Sequence, residues 1–308
     1  MAQRTGPVLV IGATGQQGGA AARALLDRGW TVRALVRDES RPAARLLREA
    51  GAALVTGNLD DRESVRAAMR SVSGVFLALT MMTGPRVTRD GVAAEERRGK
   101  AVADLASEAG VSHLVYSSVG GADQHTGIPH IESKTEIETH IRALGLPATI
   151  LRPALFMDNF RSFNRPVMDG QDLVVSLALR PQTRLPLVAA SDIGAFAALA
   201  FEDPGRYLGR AFQVAGDCLT GPQIADVFAR ATGLRARFSQ LPIEQLRAFD
   251  PEVASMFEWM DTRETGEPDL AALRAEHPGL LTLRDWLRVT GWKPEAPTAA
   301  PPETREMT

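Results

Sequence analysis

The chain has 308 residues, 44% of them hydrophobic and 23% charged, which is the composition of a globular protein with a sizeable core. Its formal net charge of −2 argues against a basic nucleic-acid-binding protein, and Cys218, as the single cysteine, excludes an internal disulfide and a multi-cysteine metal site. Without a membrane-length apolar run or room for a signal peptide, we expect a cytoplasmic protein with no membrane contact and no bound metal.

Short β-rich runs alternate with helical patterns along the first half of the chain. The predicted strands are 7–11, 31–36, 53–56, 75–79, 112–117 and 147–151. The predicted helices are 15–28, 41–50, 61–71, 90–109 and 129–144. Because strict alternation implies parallel strands with right-handed crossovers, we predict an α/β fold with a doubly wound parallel sheet.

The pattern changes after residue 153, where prolines become frequent and the period is lost. We therefore expect a nucleotide-binding domain followed by a smaller C-terminal α/β substrate lobe over the carboxyl edge of the sheet. The predicted division is 1–153 for the first domain, 154–190 and 204–292 for the lobe, with helix 191–203 packing back on the sheet domain and 293–308 a disordered tail.

Within the lobe, the residue pattern predicts a strand at 211–215 and a second at 235–238. Thr220 is expected to open the helix between them, and Ser191 to cap the helix that packs back on the sheet. Phe257, Trp259 and Trp286 could line the lobe or form its small core.

The first strand runs straight into the first helix through the stretch "VLVIGATGQQGG". Glycines permit a sharp turn and a close ligand approach, and the helix N-terminus attracts a pyrophosphate. A strand–helix turn without a ligand is the alternative. The predicted cofactor-binding residues of this turn are Gly12, Thr14, Gly15, Gln16, Gln17 and Gly18.

The end of the second strand indicates which dinucleotide would bind. An acidic residue there suits the ribose hydroxyls of NAD, whereas an arginine suits the 2′-phosphate of NADP. Arg37 follows Val36, so we predict NADP(H) in preference to NAD(H), with Arg33 as a weaker candidate. Asp38 counts against this prediction, and Arg37 could also be an ordinary surface residue.

Two further strand ends should face the same ligand. Asp60, in "GNLDD", is a candidate acceptor for the adenine amino group, although an N-cap of the next helix would look the same. Leu79, in "ALTMM", is expected to lie against the bound cofactor.

The segments "GATGQQG", "VRALVRD", "GNLDD", "VYSS", "HIESKTEIETHIRALGLPATILRPALFMDNF" and "HPGLLTLRDWLRVTGW" resemble the NmrA-like group of atypical short-chain dehydrogenases/reductases. The resemblance covers residues 7 to about 292. It implies an NAD(P)-binding Rossmann fold with a C-terminal lobe over a cleft. It leaves two functions open, because such relatives include NADPH-dependent reductases and also redox-sensing regulators that catalyse no reaction.

Short-chain dehydrogenases use a tyrosine four residues before a lysine on one helical face. In "HIESK" the lysine is Lys134 and the acid position is His130. Lys134 is predicted to bind the nicotinamide ribose, or alternatively to form a surface salt bridge with Glu138. His130, with an unperturbed pKa near 6.5, is a candidate proton donor, or alternatively a local backbone donor at the helix start.

Ser118, at the end of the fifth strand, could bind a substrate oxygen or satisfy backbone groups. An apolar substrate pocket is predicted, although its residues could equally pack between domains. The predicted pocket residues are Met81, Phe156, Asn159 and Phe160.

These residues favour an NADP(H)-dependent reductase of a small, flat, apolar acceptor such as a quinone or a conjugated carbonyl. The alternative is a non-catalytic dinucleotide sensor that acts through protein contacts. A homodimer or a regulatory protein partner is compatible with either function, whereas direct DNA binding is disfavoured by the acidic charge balance.

Overall fold

The computed structural model describes residues 6–262 and 267–295. Its strands are β1 (Val8–Ile11), β2 (Val32–Val36), β3 (Ala53–Thr56), β4 (Gly74–Ala78), β5 (Met82–Thr83), β6 (Arg86–Val87), β7 (His113–Ser117), β8 (Ala148–Pro153), β9 (Leu155–Phe156), β10 (Val167–Asp169), β11 (Asp172–Leu177), β12 (Arg184–Val188), β13 (Ala211–Val214), β14 (Asp217–Thr220) and β15 (Arg235–Gln240). Its helices are α1 (Gln16–Asp27), α2 (Pro42–Glu49), α3 (Arg62–Ala68), α4 (Arg89–Glu108), α5 (Pro129–Ala143), α6 (Ala190–Glu202), α7 (Pro204–Tyr207), α8 (Gly221–Thr232), α9 (Ile243–Phe249), α10 (Pro251–Thr262), α11 (Leu270–Glu276) and α12 (Leu283–Thr290). The strands and helices predicted in the first half of the chain are confirmed, within three residues at every end.

The central sheet has the order β13-β8-β7-β4-β1-β2-β3, and every neighbouring pair is parallel. Strands β1, β4 and β7 are buried along their whole length because helices cover both faces of the sheet. The strand order reverses between β1 and β4, so a crevice opens there at the carboxyl ends of the strands. The predicted doubly wound fold is confirmed.

Two layers of helices enclose the sheet. One face packs mainly against α1 and α6, through residues such as Leu25 and Phe196. The other face packs against α3, α4 and α5, through residues such as Val65, Leu105 and Ile137. These two layers fix the carboxyl edge of the sheet, where the loops that carry the predicted site residues begin.

Helix α6 packs directly on α1, and its start differs from the predicted one. The N-cap is Ala189, and the N–H of Ala190 donates to Oδ2 of Asp158 at 2.9 Å. The expected cap, Ser191, already lies inside the helix. The prediction was wrong because a carboxylate from a distant segment supplies the capping oxygen.

The contact between α6 and α1 depends on Gly194. A Cβ at this position would lie 2.5 Å from the carbonyl carbon and oxygen of Ala20. We therefore expect Gly194→Ala to push the two helices apart and to lower the free energy of unfolding by about 1–3 kcal/mol in urea denaturation. Gly205→Ala is the control, since a Cβ there meets nothing closer than Oδ1 of Asp203 at 3.5 Å. Equal losses in the two variants would contradict this packing argument.

A second core lies over the carboxyl edge of the sheet, in the lobe that follows β8. Two three-stranded sheets, of order β14-β12-β9 and β10-β11-β15, surround it together with α8, α10 and α12. Trp286 belongs to this core, as the second of the two interpretations has it, whereas Phe257 belongs to the core and also lines the cleft below it. Thr220 caps α8 with a capping box, as predicted.

One strand assigned to the lobe belongs elsewhere. The predicted strand at 211–215 is β13, which pairs with β8 and forms the edge of the central sheet. Its sequence resembles that of the lobe strands, and only its long-range pairing distinguishes it. Most of the predicted tail, 296–308, lies outside the described residues.

Candidate functional site

A cleft of about 1130 Å³ lies at the carboxyl ends of the strands, between the sheet and the lobe. Most of the predicted site residues line it, although they come from six separate segments of the chain. These lining residues are Gly12, Thr14, Gly15, Gln16, Gln17, Gly18, Arg37, Leu79, Met81, Ser118, His130, Lys134, Phe156 and Asn159. Asp60 and Phe160 are the predicted site residues that do not line the cleft.

The glycine turn forms one wall of the cleft and has little room for other residues. Gly12 has φ +80°, and a Cβ there would lie 2.4 Å from the carbonyl oxygen of Ala78. A Cβ at Gly18 would lie 2.2 Å from the carbonyl oxygen of Gly12. The turn therefore holds β1, β4 and α1 together at a distance that only glycines permit.

The first turn of α1 presents its backbone to this cleft. Gly15 is the N-cap, no side chain among residues 6–262 and 267–295 caps the helix, and its first turn carries no acidic residue. The first intrahelical hydrogen bond runs from the N–H of Gly19 to Gly15, at 2.9 Å. The preceding N–H groups, at residues 16–18, thus have no partner within the helix and suit an anionic ligand such as a pyrophosphate.

At the end of β2, the structure separates the roles of the neighbouring charged residues. Arg37 is exposed and lines the cleft. Oδ1 of Asp38 instead accepts from the N–H and hydroxyl of Ser40, and these hydrogen bonds lower the pKa of its carboxyl. Arg33, the weaker candidate, donates to the carbonyl oxygens of Ala68 and Arg70 at 2.7 and 2.8 Å. Of these three charged residues, Arg37 is therefore the one that faces the cleft.

Asp60 is placed differently from the prediction. Its Oδ1 accepts from Nε of Arg98 at 2.8 Å, and this pairing lowers the pKa of the Asp60 carboxyl. The N-cap of α3 is the next residue, Asp61, which accepts from the N–H groups of Glu63 and Ser64. Asp60 thus holds Arg98, which lines the cleft itself. No local pattern distinguishes Arg98 from the other charged residues of α4.

Lys134 lies on the inner wall of the cleft and is only 7% exposed. Its Nζ donates to Oε2 of Glu95 on α4 at 2.5 Å, and Ser133 donates to the same oxygen at 3.1 Å. Glu95 is fully buried. The alternative prediction of a surface salt bridge to Glu138 is therefore wrong, and the sequence did not identify Glu95 because only the packing of α4 on α5 brings it to Lys134.

Glu138 lies in a second buried group of charges, behind the end of β7. It accepts hydrogen bonds from Arg152 and Arg142, and Oγ of Ser118 donates to its Oε1 at 2.7 Å. Burial raises the pKa of the Glu138 carboxyl, but the hydrogen bonds from Arg152 and Ser118 outweigh this and hold the pKa below its ordinary value. Ser118 thus reaches the cleft wall while its hydroxyl proton is donated inward to a carboxylate.

His130 is 2% exposed and lies beside the cleft, with its Nδ1 3.9 Å from Oε2 of Glu252 on α10. Burial, together with the charge of Lys134, lowers the pKa of this imidazole to about 4, while Asp250 opposes the shift. The ordinary value near 6.5 assumed from the sequence does not hold here. Without a bound ligand, the ring is neutral at pH 7.

The remaining walls of the cleft are mostly apolar. Phe156 and Asn159 line it from β9 and the turn after it, whereas Phe160 is fully buried and packs edge-to-face on Phe228, with ring centroids 5.3 Å apart. Phe160 was predicted to face the substrate but belongs to the lobe core. A further apolar wall, of which the sequence singled out Phe257 alone, comes from α9 and α10 through Leu246, Phe249, Val253, Met256, Phe257 and Met260.

The parallel sheet, the glycine turn at the reversal of strand order and the lobe over the crevice define a Rossmann-type α/β protein with a cleft at its switch point. The chain belongs to the NmrA-like family, whose model matches residues 4–284. The resemblance inferred from the sequence is thereby confirmed. Across the described ranges, 6–262 and 267–295, we find no helix with the length and apolarity needed to cross a membrane.

The similar proteins include enzymes and a regulator. The chain is 30% identical to the NmrA-like family domain-containing oxidoreductase FrzB of Cladobotryum sp., over 94% of this chain and 93% of that protein. It is 32% identical to the (4-alkanoyl-5-oxo-2,5-dihydrofuran-3-yl)methyl phosphate reductase of Streptomyces griseus subsp. griseus, over 81% and 84% of the two chains. The solved structure of NmrA, a negative transcriptional regulator, in complex with NADP has a TM-score of 0.76 at 21% identity and covers 92% of this chain and 95% of that one. The structural likeness establishes the fold alone.

Proposed function

We propose that this protein is an NADP(H)-dependent reductase that delivers a hydride to a small, flat, apolar acceptor such as a quinone or a conjugated carbonyl. One observation carries the proposal. A single cleft joins the glycine turn and Arg37 to a region with His130, Lys134 and a wall of methionine and phenylalanine side chains. The similarity to FrzB and to the Streptomyces reductase supports the assignment to reductases.

The residues of the cleft fit a phosphorylated dinucleotide. The first N–H groups of α1 would hold the pyrophosphate, because no side chain in the described part of the chain caps them. Arg37 would pair with the 2′-phosphate through a guanidinium that has no hydrogen bond or ion pair with any other residue in the described part of the chain. When bound, the cofactor supplies the hydride.

The residues near the reacting end have separable tasks. Lys134 would donate to the ribose hydroxyls, and Glu95 fixes the position of its ammonium group. Met81, whose sulfur lies 4.0 Å from Nζ of Lys134, and Phe156 would exclude water and hold a flat acceptor. The position four residues before Lys134 is a histidine and not a tyrosine, so a reductase is favoured over an alcohol dehydrogenase.

A second function is a dinucleotide sensor that binds NADP(H) without turnover and acts through protein contacts. The neutral state of His130 in the ligand-free protein favours it, because this candidate proton donor is not protonated at pH 7. The two functions are separated by following the absorbance of NADPH in the presence of quinones, enones and imines. Acceptor-dependent oxidation supports the reductase, whereas tight NADPH binding with no oxidation by any acceptor supports the sensor.

Arg37→Ala is expected to weaken NADP⁺ binding by about 10- to 100-fold, the cost of losing a charge-assisted hydrogen bond to phosphate. NAD⁺ affinity should change less than about twofold, since NAD⁺ lacks the phosphate that Arg37 would bind. Calorimetric titration of both nucleotides measures the two constants.

Arg33→Ala is the matched control for this experiment. It removes an arginine from β2, four residues before Arg37, but one whose guanidinium donates to the carbonyl oxygens of Ala68 and Arg70. We expect the ratio of NADP⁺ to NAD⁺ affinity to be unchanged in this variant. If Arg37→Ala lowers both affinities equally, Arg37 does not select the cofactor.

A further inference from the structure

Two buried polar atoms face each other at the contact between α5 and α10. Nδ1 of His130 and Oε2 of Glu252 are 3.9 Å apart, too far for a hydrogen bond. Neither atom has a hydrogen-bond partner among the residues that the structure describes. A buried donor or acceptor without a partner is costly, so such a pair is unusual unless another state of the protein uses it.

The start of α10 is anchored to the sheet domain, which holds Glu252 near His130. Oδ2 of the buried Asp250 accepts from the N–H of Val87 in β6 at 2.8 Å. Its Oδ1 accepts from the N–H of Val253, in the first turn of α10, at 3.1 Å. Glu252 lies within this first turn, so a side-chain movement of about 1 Å, without displacement of the helix, would bring it into hydrogen-bond range of Nδ1.

We propose that Glu252 is a positioning residue for His130. In the ligand-bound protein the Glu252 carboxylate accepts a hydrogen bond from Nδ1–H of the imidazole. Nε2 is then the atom that donates a proton to the substrate. This inference rests on the proposed reductase function and deepens it, because it explains how a histidine that is neutral in the free protein becomes a proton donor at pH 7. The lobe thereby supplies an essential partner to a residue of the sheet domain.

The electrostatic surroundings of His130 make such a partner necessary. Burial and the neighbouring charge of Lys134, on the same helix, both disfavour the imidazolium. Asp250 favours it, but the two oxygens of Asp250 already accept backbone N–H groups. A second carboxylate at hydrogen-bond distance would add both a charge and an acceptor for Nδ1–H, and each of these raises the pKa of a histidine.

In the proposed reaction, hydride transfer to the acceptor is accompanied by proton transfer from His130. An acceptor carbon gains a hydride, and with it two electrons, from the reduced cofactor, which is thereby oxidised. The π-electron pair of the acceptor moves onto its oxygen or nitrogen, which takes the proton from Nε2 of the His130 imidazolium. His130 becomes neutral, stays hydrogen-bonded to Glu252, and takes a new proton from water before the next turnover.

The first test measures the pKa of His130 by NMR in wild type and in Glu252→Gln, both saturated with NADP⁺. Glutamine keeps the shape of the side chain and removes its charge. We expect the pKa of His130 to be higher in wild type by about one unit or more. Glu258→Gln is the matched control, because Glu258 lies on the same helix but pairs with Arg247 on the surface. Equal pKa values in wild type and Glu252→Gln, or the same change in Glu258→Gln, would overturn the proposal.

The second test uses the pH dependence of turnover. With NADPH and a quinone, Glu252→Gln should lower kcat at pH 7 by about tenfold or more, with little change in the KM for NADPH. Its loss of rate on raising the pH should begin at a lower pH than in wild type, and Glu252→Asp should recover part of the rate. A uniform loss at every pH would indicate a structural role and contradict the proposal. The NMR test needs no turnover, so it decides the role of Glu252 even if the reductase function fails.

Discussion

Replacing Lys134 by methionine is expected to lower the free energy of unfolding by about 3–5 kcal/mol at pH 7. The reason is that the variant leaves the Glu95 carboxylate buried without its cationic partner. This carboxylate is 0% exposed, and its Oε1 has no hydrogen-bond partner within the part of the chain described. Without Lys134, the polar contact left to the Glu95 carboxylate is Ser133. A buried charge without a partner destabilises the fold by more than the intact ion pair stabilises it.

A double variant separates this cost from a simple loss of packing. In Lys134→Met with Glu95→Gln both charges are absent, so the double variant should recover at least about 1 kcal/mol relative to Lys134→Met alone. Lys100→Met is the matched control, because Lys100 pairs with Glu96 and Glu136 near the surface and should lose no more than about 1 kcal/mol. Urea denaturation gives all the values. A double variant less stable than Lys134→Met would show that Glu95 is not the source of the loss.

The same variants test the assignment of Lys134 to the ribose. If Lys134 binds the cofactor, the double variant recovers stability but not NADPH affinity, which should remain lower than in wild type by about tenfold or more. Wild-type affinity in the double variant would restrict Lys134 to a structural role. Stability and binding are thus measured separately in one set of proteins.

The sequence predicted the fold well because its signals are local. The glycine turn and the alternation of strands and helices are set by residues within a few positions of each other, and the structure has both as expected. The same locality explains why so many predicted residues share one cleft. The carboxyl ends of parallel strands meet at one edge, so a residue that follows a strand is placed by the topology.

What the sequence could not supply are the partners of those residues. Glu95 reaches Lys134 only through the packing of α4 on α5, and Glu252 comes to lie 3.9 Å from His130 because the C-terminal lobe packs over the cleft. The capping of α6 by Asp158, in place of Ser191, has the same origin. The pKa of His130 follows from burial and long-range contacts, which a local pattern does not encode, and so the sequence predicted its position and not its charge state.

Acid should destabilise the ligand-free protein through two buried histidines. Nε2 of His113 lies 2.8 Å from Oγ1 of Thr149, and its ring packs edge-on against Phe201 at 5.2 Å. Burial lowers the pKa of His113 to about 4, and burial together with Lys134 lowers that of His130 to about 4. In the unfolded chain a histidine titrates near 6.5, so the unfolded state binds more protons between these two values.

This difference in proton binding means that the free energy of unfolding falls as the pH is lowered. Stability from each neutral histidine is fully present above about pH 6.5 and is lost as the pH falls toward 4, because protonation favours the unfolded chain. From pH 7 to pH 5 we expect each histidine to contribute a loss of about 2 kcal/mol. Urea denaturation at the two pH values should therefore show a smaller pH-dependent loss in His113→Gln and in His130→Gln than in wild type, and the smallest in the double variant. His125→Asn, which changes an exposed histidine, should retain the wild-type loss. If the double variant loses as much stability as wild type over this interval, the acid sensitivity must come from carboxylates, and neither imidazole is held neutral by burial.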